Sequence, residues 1–280
     1  MAADEGAELD GKVAIVTGAG TSPGRVASIG EASARLIARA GAAVAVVDID
    51  ASAAGETVRR IESEGGRAAA IVADLSGEAG CRQAVAAAVA AFGRLDILVN
   101  NVGFGGGPVV TEIDEAALER AIAVNLKSAV FMTRFAAPHM AQGGAIVNLS
   151  TTAVQHPTAS LSYSVTKAGV EALTSHTAMQ FGPDGIRCNT VRPGEVWTAM
   201  VDRNCPTDEA ASALRAERAR RCVLPHDGDA WDVAEAVLFL AGPRARWITG
   251  QTLAVEGGAQ LIRPNPDWQS HHSYWKARRR

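Results

Sequence analysis

The chain has 280 residues, 48% hydrophobic and 20% charged, with 27 Lys and Arg against 30 Asp and Glu for a formal charge of −3. That balance excludes a disordered chain and leaves no basic field for nucleic acid. The length suffices to bury a core without disulfides or metals, and four scattered cysteines with no Cys-x-x-Cys pair exclude a zinc ribbon and fit a reducing, cytoplasmic setting.

The opening stretch, MAADEGAELDG, has no basic segment ahead of an apolar one, so no secretory signal is expected. Short apolar runs then recur at residues 13–17, 44–49, 69–74, 95–101, 145–150, 186–191 and 252–256. They are continuous rather than alternating, which predicts parallel strands covered on both faces. Helical stretches are expected at 29–40, 51–64, 78–91, 114–141, 161–181 and 230–240, with Gly41, Gly65, Gly93 and Gly242 as candidate helix stops. The longest apolar stretch, residues 84–92, is too short for a bilayer, which needs about 20 residues, so no membrane partner is expected. Strand–helix alternation throughout predicts one doubly wound α/β domain. Residues 195–229 break the rhythm as a charged insertion beside a site, with a helical piece at 209–220.

Residues 13–40 read as strand, glycine-rich turn and helix. Backbone N–H groups at such a helix N-terminus suit a pyrophosphate, and glycines allow close approach. Gly18, Gly20 and Gly24 depart from the strict G-x-G-x-x-G spacing. Asp48, at the end of the second run, strengthens the reading, because a carboxylate there accepts from adenosine ribose hydroxyls and repels a 2′-phosphate. Tyr163 and Lys167 stand four apart at the start of a long helix and share one face. An ammonium near a phenol lowers its pKa from about 10, which makes Tyr163 a candidate acid/base.

With Asn100-Asn101-Val102-Gly103 after the fourth run and Ser150 ahead of Tyr163-x-x-x-Lys167, residues 9–260 resemble the short-chain dehydrogenase/reductase family. The resemblance implies a single Rossmann-type domain with a doubly wound parallel sheet of about seven strands. It implies an NAD-dependent oxidoreductase, with NADP the less favoured cofactor, that interconverts a small-molecule secondary alcohol and a ketone. Tyr163 would exchange the proton, Lys167 would bind the nicotinamide ribose and tune Tyr163, Ser150 would hold the substrate oxygen, and Asn125 would help carry a proton relay. Gly18, Gly20, Ser28, Ile29 and Gly30 would cradle the pyrophosphate. Asp74 and Leu75 would contact adenine, Asn101 would lie beside the adenosine, Gly103 would also bind the cofactor, and Pro193, Gly194, Val196 and Thr198 would close over the nicotinamide carboxamide. A homotetramer joined by the helices at 114–141 and 161–181 is also implied. No metal is expected.

Three departures bear on the site. About six extra residues near 21–26 lengthen the glycine turn and add Arg25, and Ser28 replaces a family glycine. Counting back from Tyr163 selects Ser150 as the substrate hydroxyl, whereas counting from the strand selects Thr151; Ser150 is preferred. Glu195 stands where family members often carry an apolar residue. Gln155 and His156 lie near the substrate by resemblance, while His139, His176 and Trp231 read as surface or packing residues. Some enoyl reductases of the family also have a lengthened glycine turn, but they space Tyr and Lys differently. A catalytically silent nucleotide-binding protein is the rival reading. The tail at 259–280, rich in aromatics (Trp268, Tyr274, Trp275), is expected to pack over the substrate mouth.

Overall fold

The computed structural model of the chain describes residues 8–21, 26–105, 107–156 and 160–261. The apolar runs form seven strands: β1 (Val13–Thr17), β2 (Ala43–Asp48), β3 (Arg67–Val72), β4 (Leu95–Asn100), β5 (Met140–Leu149), β6 (Arg187–Pro193) and β7 (Thr252–Val255). All pair parallel in the order β3-β2-β1-β4-β5-β6-β7. Between them lie α1 (Ile29–Arg39), α2 (Ala51–Ser63), α3 (Glu78–Phe92), α4 (Glu115–Ala121), α5 (Ser128–Ala136), α6 (Leu161–Phe181), α7 (Ala199–Asp202), α8 (Asp208–Ala219) and α9 (Ala230–Ala241).

Alternate strand residues feed two cores, which is why the runs are apolar throughout. Ala14, Val16, Val44 and Val46 pack with α1, α2 and α9 through Ile37, Ile61, Val233 and Val237. Val13, Ile15, Ala45 and Val47 pack with α3, α5 and α6 through Val85, Met132 and Ala178. Helix starts are set by polar caps: Ser28, Asp50, Asp114, Thr207 and Asp229 each accept a backbone N–H from the first turn. Each such cap stabilises its helix by about 1 kcal/mol. Gly41, Gly65 and Gly93 adopt the left-handed conformation at helix ends, as expected. Gly242 does not; it ends α9 in extended backbone at φ −85°.

Two differences from the sequence reading bear on the site. The helix expected at 114–141 is α4, a π turn (Ile122–Lys127) and α5, and it ends early enough for β5 to begin at Met140. Residues 195–229 hold α8 close to its expected place and also the four-residue α7, too short for a periodic signal. Arg25 and the aromatic tail (Trp268, His271, His272, Tyr274 and Trp275) lie outside the described residues. Among the described residues no helix is long and apolar enough to cross a membrane, and no group of His, Cys, Asp and Glu could hold a metal ion.

Candidate active site

Every strand from β1 to β6 delivers its C-terminal end to one cavity of about 1490 Å³. Gly18, Asp48, Asp74, Asn101, Ser150 and Gly194 line it, each just after or at the end of its strand. The strand order reverses between β1 and β4, and such a crevice is where ligands of doubly wound sheets bind.

The glycine turn is shaped by close contacts. Gly18 has φ +59°, a conformation that favours glycine. A Cβ on Gly30 would lie 2.2 Å from the Gly18 carbonyl oxygen and 2.5 Å from Asn101 Nδ2. Asn101 Nδ2 donates to the carbonyls of Thr17 and Gly18 at 3.0 and 2.9 Å, so this side chain pins the turn to β4. Ser28, which replaces a family glycine, caps α1 by accepting from Glu31 N at 3.1 Å. Asp48 Oδ2 accepts from Gly20 N at 2.8 Å, and a Cβ on Gly20 would lie 2.7 Å from that oxygen. Gly20 therefore braces Asp48. Asp74 accepts from Ser76 N at 2.9 Å, and this bond holds its carboxyl below the usual range. Together, an open helix N-terminus at Ser28, Ile29 and Gly30, the carboxylate of Asp48, and Asp74 with Leu75 along one wall fit a dinucleotide.

Lys167 is 3% exposed. Its Nζ donates to Leu149 O at 2.9 Å and to Val102 O at 3.2 Å, and burial lowers its pKa to about 8. Gly103 makes room for it, since a Cβ there would lie 2.9 Å from Nζ. Tyr163 opens onto the same cavity. Its phenol is pushed up by burial, while a hydrogen bond with Thr151 acts in the opposite direction. This differs from the expected lowering by Lys167, whose ammonium is directed to two backbone carbonyls instead.

The hydroxyl that bonds the Tyr163 phenol is that of Thr151, the alternative to the preferred Ser150. Ser150 Oγ donates to Glu171 Oε1 at 2.6 Å, and Glu171 is held by Arg192 through Nε at 2.8 Å and Nη2 at 2.6 Å. Successive residues at a strand end face opposite sides, so only one of two neighbouring hydroxyls can meet the phenol. Asn125 sits in the π turn and is 1% exposed. Its Oδ1 accepts from Phe104 N at 2.9 Å, and its Nδ2 donates to Phe104 O and Thr166 Oγ1, each at 3.2 Å. The amide thus ties the segment after β4 to α6.

Pro193, Gly194, Val196 and Thr198 all line the cavity, and Thr198 begins α7 without a side-chain capping bond. Glu195 is not a free loop acid; Arg221 Nη1 donates to its Oε2 at 2.9 Å. His156 lines the cavity, while His139, His176 and Gln155 do not. Trp231 packs under the guanidiniums of Arg35 and Arg39 at 4.9 and 5.4 Å. Sequence reasoning missed the Glu171–Arg192 pair and the arginines of the cavity wall (Arg120, Arg203, Arg218, Arg220 and Arg221), which share no local spacing.

A family model described as enoyl-(acyl carrier protein) reductase matches residues 24–260. Among curated proteins, 7alpha-hydroxysteroid dehydrogenase of Escherichia coli K12 is 36% identical over 89% of this chain and 94% of its own length. Cis-4-hydroxycyclohexanecarboxylate dehydrogenase of Sinomonas cyclohexanicum is 37% identical over 90% and 97%. Among solved structures, a short-chain dehydrogenase/reductase from Burkholderia xenovorans superposes with TM-score 0.86 at 35% identity, covering 92% of this chain and 100% of its own. A 7 alpha-hydroxysteroid dehydrogenase complexed with NADH and 7-oxo glycochenodeoxycholic acid gives TM-score 0.82 at 34% identity, covering 92% and 98%. A short chain dehydrogenase from Burkholderia cenocepacia in complex with NADP gives TM-score 0.80 at 34% identity, covering 90% and 99%.

Proposed function

The chain belongs to the short-chain dehydrogenase/reductase family, and from that premise we propose that it interconverts a secondary alcohol and a ketone with NAD. It is an oxidoreductase of that family, whose members use a nicotinamide cofactor. The observation that carries the finer reading is the meeting of the Tyr163 phenol, the Thr151 hydroxyl and the buried Lys167 ammonium at one cavity. The hydroxy compounds named for the Escherichia coli and Sinomonas relatives, and the four-residue Tyr–Lys spacing, favour alcohol chemistry over enoyl reduction.

A bound nicotinamide dinucleotide would supply or accept the hydride. In the reduction direction the carbonyl carbon takes up a hydride with its electron pair, and the oxygen takes the proton of the Tyr163 hydroxyl, which leaves a phenolate; oxidation is the same step reversed from that phenolate. Thr151 Oγ1 holds the same oxygen, so charge developing there meets two hydroxyl groups. Lys167 Nζ uses two N–H groups on Leu149 O and Val102 O, which leaves its third for a ribose hydroxyl. Asn125 positions the segment at 102–104 that receives this ammonium. Gly18, Ser28, Ile29 and Gly30 would hold the pyrophosphate, with Gly20 bracing Asp48, and Asp74, Leu75 and Asn101 would border the adenosine. Pro193, Gly194, Val196 and Thr198 would border the carboxamide.

Asp48 supports NAD, because its carboxylate would face a 2′-phosphate. The exposed apolar residues Val130 on α5 and Val165 and Met179 on α6 support a homotetramer joined along these helices. A cofactor-linked screen of secondary alcohols and ketones tests the activity. Turnover with NAD(H) is expected; failure of every alcohol and ketone with either dinucleotide would remove the reading.

A further inference from the structure

We infer that the substrate is a hydroxy acid or keto acid whose carboxylate is bound by Arg203 and Arg220, at a distance from the reacting carbon. The inference rests on the dehydrogenase reading and adds the substrate class. Among the described residues, five arginines line the cavity that holds Tyr163: Arg120, Arg203, Arg218, Arg220 and Arg221. Three of them have partners. Arg221 pairs with Glu195 and Glu217, Arg218 donates to Val196 O at 3.2 Å and lies 3.9 Å from Glu195, and Arg120 stacks over Phe104 at 5.6 Å. Arg203 and Arg220 have no ion pair, hydrogen bond or ring contact from their guanidiniums among the described residues.

The acids of the cavity do not balance them. Asp48 and Asp74 lie at the ends of β2 and β3, where the adenosine is placed. On the α7–α8 side the lining acids are Glu195 and Glu256. Glu195 is engaged by Arg221 and Arg218, and Glu256 is buried with Oε1 accepting from Gln260 N at 3.1 Å. The wall therefore keeps an excess of positive charge that faces the ligand space. Arg203 and Arg220 follow the last residues of α7 and α8, where exposed carbonyls stabilise a cation. That effect accounts for an arginine at each helix end, but not for both ends opening on one cavity. Both arginines are exposed, and a guanidinium there matches a carboxylate through paired N–H groups. The cavity volume, about 1490 Å³, exceeds that of common small-molecule sites, roughly 300–1,000 Å³, and leaves space for a substrate beside a dinucleotide. Tyr163 and Thr151 come from α6 and the end of β5, whereas the two arginines come from α7 and α8. The reacting oxygen and the carboxylate are therefore assigned to side chains of different elements.

The test uses matched pairs of cyclic secondary alcohols, one monocyclic and one tetracyclic, each bearing a remote carboxylate or the corresponding carboxamide. The full-length enzyme is expected to prefer the acid by about tenfold or more in kcat/KM. Added salt should shrink that ratio, and Arg203→Gln with Arg220→Gln should bring it near one. The dissociation constant for NADH is measured in the same variants. If the acid-to-amide ratio is near one in the native enzyme, the inference fails and the dehydrogenase reading stands. If the variants lose NADH affinity and keep the ratio, the arginines serve the phosphates of the cofactor and the inference fails. If no alcohol turns over, the dehydrogenase reading fails; calorimetry of the acid and the amide with the native and variant proteins then decides the arginine site alone. Arginine-dependent binding of the acid upholds the site, and its absence overturns it.

Discussion

Ser150 Oγ donates to Glu171 Oε1 at 2.6 Å, and this bond joins the end of β5 to the middle of α6 through a carboxylate that Arg192 also holds. The bond ties Ser150 to Glu171, and the proposed mechanism gives the substrate oxygen to Thr151. Ser150→Ala removes a hydrogen bond to a half-buried charged acceptor, so a loss of about 1–3 kcal/mol in unfolding free energy is expected, with kcat largely retained. Thr151→Val should lower kcat by about 10² or more with little change in stability, and Thr151→Ser should restore turnover. Denaturant melts and steady-state kinetics on the three variants check this assignment. The opposite pattern would return the role to Ser150.

The strands were legible because both faces of each are covered: Val13, Ile15 and Ala14, Val16 feed separate cores, so each run reads as apolar throughout. That Gly18, Asp48, Tyr163 and Lys167 meet at one cavity was legible because local spacing places each at a strand end or on one helix face. The choice between Ser150 and Thr151 was not, since it depends on which face of a strand end meets α6. The π turn around Asn125 and the four-residue α7 were hidden for another reason. Neither carries a periodic signal, and both are held by tertiary contacts, such as Asn125 on Phe104. The excess charge of Arg203 and Arg220 emerges only when residues from separate helices are brought to one cavity.

Lys167 links stability to pH. Burial lowers its pKa from the usual 10.5 to about 8. Below pH 8 the ammonium is charged in both states, and its desolvation opposes folding in full. Above pH 8 the folded chain releases the proton first, the unfolded chain binds more protons, and stability rises with pH until the unfolded lysine also titrates. Relative to Lys167→Met, the native protein should therefore gain up to about 3 kcal/mol between pH 8 and 10.5. Urea titrations of both proteins across that range measure the difference. A difference independent of pH would contradict the lowered value.

Asp48 is the residue proposed to set cofactor preference. Asp48→Ala should raise kcat/KM with NADP relative to NAD by about tenfold or more, because it removes a carboxylate facing the 2′-phosphate. It also frees Gly20 N, so some loss of affinity for both dinucleotides is expected. A native enzyme that already prefers NADP would overturn the assignment.

Gly30 leaves no room for a side chain. In Gly30→Ala the new Cβ would meet the Gly18 carbonyl at 2.2 Å and Asn101 Nδ2 at 2.5 Å, both fixed by the backbone of the turn. Overpacking of this kind costs about 1–3 kcal/mol. A lower Tm and weaker NADH binding are expected together, measured by calorimetry and by fluorescence titration. Unchanged values would mean that the turn adapts.

The proposed mechanism has Tyr163 Oη exchange the proton with the carbinol oxygen. Its most direct test is Tyr163→Phe, which keeps the ring and deletes the hydroxyl. Turnover of the best secondary alcohol is followed through the reduced nicotinamide absorbance, and NADH affinity is measured alongside. A fall in kcat of about 10²–10⁴ is expected, with the dissociation constant for NADH nearly unchanged. Near-normal turnover in the phenylalanine variant would contradict it.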